Sequence, residues 1–190
     1  MSGSAIGFYG SRGDEALDES SAAGQGFLPE VCAAWEAAAA PASQAGIRVV
    51  HPRTGVVLSA DGGALAKMRL PFKLCLGGRI GDGKQWFSWI SLHDEVRALT
   101  HLLDSEMSGP VNLTGPAPVD NASFTKSMGR AVHRPTVIPL PAFAVRTALG
   151  EMGERLLLDS QRVVPKALID DDFRFEHATV DEALRWALEG

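Results

Sequence analysis

The sequence predicts an α/β fold, and the first evidence is a helix joined to a strand by a glycine turn. The alanine-rich stretch 27–46 has Pro29 near its start, where a missing N–H costs little, and it ends at Gly46. The β-branched run "IRVV" at 47–50 follows at once. A helix, a short turn and a strand make up the second half of a βαβ unit.

The second observation is that strand and helix alternate again in the middle of the chain. "QWFSWI" at 85–90 alternates in the manner of a strand, and Ser91 with Asp94 fits a capping box at the start of a helix. Two prolines are expected to interrupt elements: Pro52 ends or bends the strand that begins at 47, and Pro71 stops a helix before it. The apolar stripe of the helix after 91 is predicted to consist of Leu92, Val96, Leu99 and Leu103.

The remaining elements are short. "GPVNLTG" at 109–115 is a strand, Asn121 caps a helix, and 134–141 is extended. A helical stretch is predicted from Ala142 to about Leu149, and Thr179 opens a terminal helix.

Composition excludes several classes of protein. The chain has 190 residues, is 45% hydrophobic and carries a net charge of −5, and no apolar run approaches the ~20 residues of a membrane span. It lacks a signal-peptide pattern, so we expect a cytoplasmic protein. Scattered basic residues argue against nucleic acid, and Cys32 and Cys75 lie too far apart for a CxxC site. His51 and His93 are interpreted as polar strand-end or helix-cap residues, and no metal site is predicted.

One glycine-rich loop is a candidate for binding phosphate. In "GGRIGDG" at 77–83 the backbone N–H groups could approach an anion, with Arg79 and Lys84 adding charge, although an ordinary turn is the alternative. There is no GxGxxG or GxxxxGK[ST] motif. Trp86 and Trp89, three apart around a strand, are predicted on opposite faces, one in the core and one at a pocket wall.

Several segments together resemble one protein family. "SGSAIGFYG" at 2–10 is similar to the serine-rich strand end with a Tyr-Gly pair that follows the fifth strand of extended short-chain dehydrogenases/reductases. The segments 49–59, 78–104 and 109–132 resemble the NAD-dependent epimerase/dehydratase-like, or sugar-nucleotide epimerase-like, branch. The last third resembles that branch's own C-terminal domain, so the resemblance extends along essentially the whole chain.

The resemblance implies a fold and a domain division. It implies the C-terminal part of a Rossmann-type doubly wound parallel sheet at 1–115, followed by a small, mainly helical C-terminal lobe at 116–190. Members of the branch begin with a glycine-rich strand-turn-helix ahead of a segment like 2–10, so we expect the N-terminal nucleotide-binding half to be missing. A sheet without those strands exposes an edge and an apolar face, and we expect low stability in about the first 60 residues.

Site residues follow from the resemblance one position at a time. Ser4 matches the serine that hydrogen-bonds the reacting carbonyl or hydroxyl, and Tyr9 matches the tyrosine beside the substrate, so both are expected to be catalytic. Pro52, Arg53 and Thr54 match the segment that runs past the nicotinamide, which implies cofactor contacts. For Arg53 a salt bridge that fixes the loop is an equal alternative.

A second group of positions matches the substrate side. Arg79, Gln85 and Trp89 lie where extended members hold a nucleotide-sugar or another anionic substrate. The YxxxK motif of such enzymes is missing, because the comparable helix at 30–39 offers neither residue type at those positions. Depending on register, the two positions hold Val31 and Trp35, or Cys32 and Glu36.

Two hypotheses of function result. The first is an NAD(P)-dependent epimerase- or oxidoreductase-like protein that uses NAD or NADP on a small molecule and is inactive as this chain; a nucleotide-sugar-like molecule is one candidate substrate. The second is a non-catalytic, degenerate Rossmann-like protein that binds a ligand or a partner; the absence of YxxxK favours it. The missing half is the expected protein partner, and neither nucleic acid nor a membrane is expected.

Overall fold

The computed structural model of the chain describes residues 1–140 and 159–189. A 3₁₀ turn spans Ile6–Tyr9, and the helices are α1 Phe27–Ala38, α2 Ala40–Gln44, α3 Gly63–Lys73, α4 Leu92–Asp104, α5 Asn121–Ala131, α6 Lys166–Asp170 and α7 Val180–Glu189. The strands are β1 Ser4–Ala5, β2 Ala16–Leu17, β3 Val50–Thr54, β4 Val56–Leu58, β5 Trp86–Phe87, β6 Trp89–Ser91, β7 Gly109–Leu113, β8 Val119–Asp120 and β9 Arg162–Val163. The helix predicted at 142–149 lies outside the described residues. Of the helices in the described ranges, none is both long and apolar enough to cross a membrane.

The central sheet is parallel, with the strand order β1-β3-β7. In its register Ser4 lies opposite Arg53, and Arg53 lies opposite Asn112. Strands β2 and β9 pair in parallel, as do β4 and β6, whereas β5 and β8 are antiparallel. Parallel strands linked through helices are the pattern of an α/β protein, so the predicted fold class is confirmed.

Helices cover both faces of this sheet because the side chains of β3 alternate between them. Arg53 points to one face, where it contacts Glu36 of α1. Thr54 points to the other, where it contacts Glu95 of α4, and Val50 packs on that same face against Ala98 and Leu102. A parallel sheet with helices on two faces is the doubly wound arrangement implied by the resemblance.

The two prolines do not interrupt their elements as predicted. Strand β3 continues through Pro52. The carbonyl of Val50 accepts a hydrogen bond from the N–H of Ser2, so the nitrogen of Pro52 faces the side of β1 and removes no bond to β7. Pro71 lies within α3, two residues before its end; its missing N–H removes one i→i−4 hydrogen bond, and the helix ends within the same turn.

Strand β7 forms one edge of the three-stranded sheet, and a side chain covers part of that edge. The N–H of Asn112 points away from β3 and donates to Oε1 of Glu19 at 3.0 Å. The same oxygen accepts the N–H of Ala167 in α6 at 3.2 Å. Burial raises the pKa of Glu19, although these hydrogen bonds oppose the rise.

Helix α4 buries a different face from the one predicted, and α1 leaves its tryptophan exposed. Trp35 of α1 is 54% exposed, and Val96 and Leu103 of α4 are 55% and 61% exposed. The buried positions are Pro29 and Cys32 in α1 and Asp94, Glu95, Ala98 and Leu102 in α4.

The largest apolar core lies between α3, α5 and α7. Trp89, which is 1% exposed, lies within it. Its other fully buried large side chains are Leu58, Leu65, Met128 and Leu184.

Candidate functional site

Two predicted site residues, Ser4 and Arg53, meet Glu36 near the carboxyl ends of β1 and β3. The Ser4 hydroxyl donates to Oε1 of Glu36 at 2.7 Å. Arg53 donates from Nε to Oε1 and from Nη2 to Oε2 of Glu36, both at 2.8 Å. We call these residues the Ser4–Glu36–Arg53 cluster. Its position suits a ligand site, because open α/β sheets bind ligands outside the carboxyl ends of their strands.

Electrostatics keep the carboxyl group of this cluster ionised. Burial by itself would raise the pKa of Glu36, but hydrogen bonds from Arg53 and Ser4, together with the charge of Arg53, hold that pKa below its ordinary value. Burial by itself would lower the pKa of Arg53, but its hydrogen bonds to Glu36 and Tyr9 raise that pKa above its ordinary value. The cluster is therefore a carboxylate–guanidinium pair at neutral pH, with a bidentate geometry.

The network extends inward to Tyr9 and ends in β7. Nη1 of Arg53 donates to the Tyr9 oxygen at 2.9 Å, and the Tyr9 hydroxyl donates to Oδ1 of Asn112 at 2.7 Å. Tyr9 is 0% exposed, and burial raises the pKa of its phenol. The phenol is thus shielded from solvent and hydrogen-bonded to both Arg53 and Asn112, and the catalytic role of Tyr9 stays a prediction. Sequence reasoning missed Asn112, whose signal is one polar residue inside the apolar strand "PVNL".

The structure selects one of the two registers left open for the missing YxxxK motif. Glu36 faces Ser4, and Cys32, 3% exposed, lies on the same side of α1. Trp35, by contrast, is exposed. Burial raises the pKa of the Cys32 thiol, so it is a neutral thiol rather than a thiolate. Cys32 and Glu36 thus occupy the side of the helix from which a Tyr/Lys pair would reach Ser4.

The residues predicted beside the cofactor point in two directions. Arg53 is committed to Glu36, which is the salt-bridge alternative, although the bridge holds a helix rather than a loop. Thr54 donates to Oε1 of Glu95 at 3.0 Å on the opposite face. Pro52 lies in the same strand with its side chain on the Thr54 side. Contacts of these three with a cofactor stay a prediction.

The glycine-rich loop 77–83 has the geometry of a turn. The N–H of Ile80 donates to Oδ1 of Asn121 at 2.9 Å, and that of Gly81 donates to the carbonyl of Leu140 at 3.0 Å. The N–H of Gly83 donates to the carbonyl of Ile80 at 3.0 Å. With these donors engaged, the loop has the turn structure weighed above rather than a phosphate cradle.

The three predicted substrate residues differ in exposure. Arg79 is exposed, and its guanidinium makes no ion pair among residues 1–140 and 159–189. Gln85 is half-buried, with Nε2 donating to the carbonyl of Ile80 at 3.3 Å. Trp89 lies in the core, where its indole N–H donates to the carbonyl of Ala117 at 3.1 Å. The Trp89 side chain is 1% exposed, and its contact with a substrate stays a prediction.

Trp86 is half-buried; its indole N–H donates to Asp14 at 2.8 Å, and Arg162 lies 4.5 Å above the ring. In the described part of the chain, no group of three or more His, Cys, Asp or Glu side chains is arranged to hold a metal ion.

Fold and site together define the class of protein. A parallel sheet covered by helices on both faces, with a polar cluster at its carboxyl edge, is typical of the Rossmann-type α/β class. The chain is homologous to epimerase family proteins, as the comparisons with known proteins establish. Epimerase family protein ML0860 of Mycobacterium leprae is 52% identical over 98% of this chain, and epimerase family protein YfhF of Bacillus subtilis is 39% identical over 95%.

Solved structures agree with this relationship. Human epimerase family protein SDR39U1 (isoform 2) with NADPH superposes with a TM-score of 0.90 at 33% identity, covering 99% of this chain and 64% of the human chain. The nucleoside-diphosphate sugar epimerase of Corynebacterium glutamicum superposes with a TM-score of 0.79 at 38% identity, covering 98% of this chain and 37% of the other. The family resemblance deduced from the sequence is thereby confirmed.

The C-terminal part matches a family model of its own. Residues 140–187 match the model described as Domain of unknown function (DUF1731). The chain spans about three fifths of the length of its relatives, 61% of the M. leprae protein and 60% of the B. subtilis protein.

Proposed function

We propose that this chain is the substrate-side part of an NAD(P)-dependent epimerase- or oxidoreductase-like protein. The observation that supports this most directly is the superposition on the human relative that contains NADPH, with a TM-score of 0.90 over 99% of this chain. The Ser4–Glu36–Arg53 cluster occupies the carboxyl edge of the sheet, where such a fold binds its ligand.

The residues present fit only part of a dinucleotide site. Ser4 and Glu36 line an edge that is partly open, with 14% of the Glu36 side chain exposed. A pyrophosphate group needs free N–H groups at a glycine-rich helix start, and neither a GxGxxG motif nor the 77–83 loop provides them. We therefore propose that the pyrophosphate is bound by the part of the relatives that this chain does not span, and that the chain alone has no activity.

A non-catalytic role is the second candidate, and one observation favours it. Glu36 is ionised and paired with Arg53 at the helix position from which a lysine would support a catalytic tyrosine. An acid–base step needs a group whose pKa lies near the working pH, and no member of the cluster is tuned in that way. This arrangement therefore favours binding of a ligand or a partner without turnover.

Calorimetry with NADPH and NADH tests the proposal. We expect the 190-residue chain to bind either dinucleotide more weakly than about 100 μM, because its pyrophosphate site is incomplete. Micromolar affinity for the chain alone would refute this part of the proposal. A protein completed with the remaining length of a relative is expected to bind the dinucleotide.

The substrate side is tested separately in that completed protein. Arg79→Ala should weaken the binding of UDP-glucose, used as a nucleotide-sugar probe, about tenfold or more, because a charge-assisted contact is worth about 1.5–3 kcal/mol. Lys67→Ala, at an exposed cation of α3, is the control and should leave the binding of UDP-glucose unchanged. An equal loss of dinucleotide affinity in the Arg79 variant would assign that residue to another role.

A further inference from the structure

A short segment of the C-terminal part crosses directly over the turn that carries Tyr9. This segment, residues 160–164, lies inside the stretch that matches the domain of unknown function. Its strand β9 pairs in parallel with β2, so that Arg162 lies opposite Ala16 and Val163 lies opposite Leu17. The hydroxyl of Ser160 donates to the carbonyl of Gly13 at 2.8 Å. The segment is therefore hydrogen-bonded to residues 13–17 of the loop that follows Tyr9.

One side chain of the segment reaches the turn itself. Nε2 of Gln161 donates to the carbonyls of Ile6 and Gly10, each at 3.2 Å. These two carbonyls bracket the 3₁₀ turn Ile6–Tyr9 at its two ends. Since a primary amide has two N–H groups, Gln161 uses both to hold the turn closed.

The backbone of Gln161 is held from the other side. The Ser88 hydroxyl donates to its carbonyl at 2.7 Å, and the N–H of Val163, two residues further on, donates to Ser88 Oγ at 2.9 Å. Asn112, the partner of Tyr9, donates from Nδ2 to the carbonyl of Val164 at 3.0 Å. The same segment thus contacts both the turn and the far end of the buried network.

Movement of the turn would be transmitted to the cluster. Ser4 is two residues before the turn and donates to Glu36, while Tyr9 ends the turn and accepts from Arg53. A displacement of the turn by about 1 Å would break hydrogen bonds of this length at both points.

We propose that Gln161 is a positioning residue of the candidate site: by bridging the two ends of the Ile6–Tyr9 turn, it fixes Ser4 and Tyr9 against Glu36 and Arg53. This assigns a role to part of the segment that matches a domain of unknown function. It rests on the proposed function only in treating the Ser4–Glu36–Arg53 cluster as a ligand site.

The test uses the intact chain and needs no ligand. Tyr9 is the single tyrosine, so tyrosine labelled with ¹³C gives one set of ring resonances. We expect Gln161→Leu and Gln161→Glu to broaden or split this set, since leucine cannot donate and a carboxylate would face two carbonyls. The matched control is Arg162→Gln in the same strand, whose side chain lies over Trp86 instead, and it should leave the Tyr9 resonances single.

A second readout separates positioning from a general loss of stability. Because Ser4 and Arg53 hold the pKa of Glu36 below its ordinary value, a displaced turn should raise that pKa in the folded chain, as followed by ¹³C carboxyl titration. Mere destabilisation would leave it unchanged. If Gln161→Leu does not fold, Gln161→Asn, which keeps the donors but is one methylene shorter, serves in its place.

An unchanged Glu36 titration and a single set of Tyr9 resonances in the Gln161 variants would overturn the proposal. Neither readout depends on NADPH, so a failure of the dinucleotide to bind would count against the proposed function alone.

Discussion

At the scale of single residues, burial shifts the pKa of the Glu95 carboxyl group far from its ordinary value. Glu95 is 7% exposed; its Oε1 accepts from Thr54, and its Oε2 has no hydrogen-bond partner in the described ranges. Burial raises the pKa of Glu95 to about 7, and the hydrogen bond from Thr54 only partly offsets this. The group is therefore largely protonated in the folded chain in mildly acidic solution.

This shift predicts a loss of stability as the pH rises. Between the ordinary pKa of 4.5 and the folded value of about 7, the folded chain binds more protons at Glu95 than the unfolded chain does. The free energy of unfolding contributed by this group therefore falls over that window, by roughly 2–3 kcal/mol between pH 5 and pH 8, and is constant above it. Glu95→Gln should remove this dependence and be the more stable protein at pH 8.

Urea unfolding at pH 5 and pH 8 measures the effect. Glu106→Gln, at an exposed carboxylate just beyond α4, is the control and should follow the parent protein at both pH values. A Glu95→Gln variant whose unfolding free energy differs from that of the parent by the same amount at both pH values would contradict the prediction.

How much of the site the sequence predicts depends on where each residue's partner lies. The family resemblance singled out Ser4 and Arg53, which do meet. Glu36 was only one of two alternatives, because its partner Arg53 lies 17 positions away and no spacing rule links a helix to the next strand. The burial of Tyr9 could not be foreseen, since Tyr9 packs with Val163 and donates to Asn112, 103 positions along the chain.

At the scale of elements, the start of α5 is one residue earlier than predicted. Asp120 is the N-cap, and its carboxylate accepts the N–H of Ser123 at 2.6 Å. Asn121, the predicted cap, instead accepts the N–H of Ile80 and so holds the glycine-rich loop. Local sequence cannot separate two adjacent capping residues when one of them is used by a distant segment.

This assignment predicts different costs for two substitutions at Asp120. Asp120→Ala should lower the free energy of unfolding by about 1 kcal/mol, while Asp120→Ser, which retains a capping oxygen, should cost a few tenths. Chemical denaturation of both variants under identical conditions measures the difference. Equal losses would mean that the Asp120 side chain does not cap α5.

The face of α4 illustrates why an apolar pattern can mislead. The predicted apolar stripe omits Asp94 and Glu95. Asp94 is nevertheless 1% exposed, and it accepts the backbone N–H groups of Glu176 and His177. A carboxylate that bonds two backbone donors can be buried without loss. This contact turns Leu103 towards solvent, and no periodicity in the helix reveals it.

At the scale of the whole molecule, contacts between distant parts of the chain bear on the stability expected of its first residues. The sequence predicts weak order in about the first 60 residues. In the structure, Val50 is 1% exposed, and the loop after Tyr9 is bonded to segment 160–164. These contacts cross the predicted domain boundary at 115, and that boundary stays a prediction.

Hydrogen exchange on the isolated monomeric chain measures the order of β3. We expect the amides of His51 and Arg53, which face β7, to exchange at least about a hundredfold more slowly than an unstructured chain, because they belong to the hydrogen-bond ladder between β3 and β7. Exchange at the unprotected rate would favour the expectation from the sequence, and with it a requirement for further chain. The amides of α7 in the same sample provide the internal reference.

The carboxylate of Glu19 has a consequence for how copies of the chain meet. An outer strand with a free N–H is a template on which a second molecule can add its own strand, and repetition of that step builds fibres. At β7 the outward N–H of Asn112 is already taken, and the oxygen that takes it also anchors α6. An incoming strand would have to displace a half-buried acid and detach a helix. The Glu19 side chain therefore hinders the addition of another molecule's strand at this edge, and with it growth into aggregates.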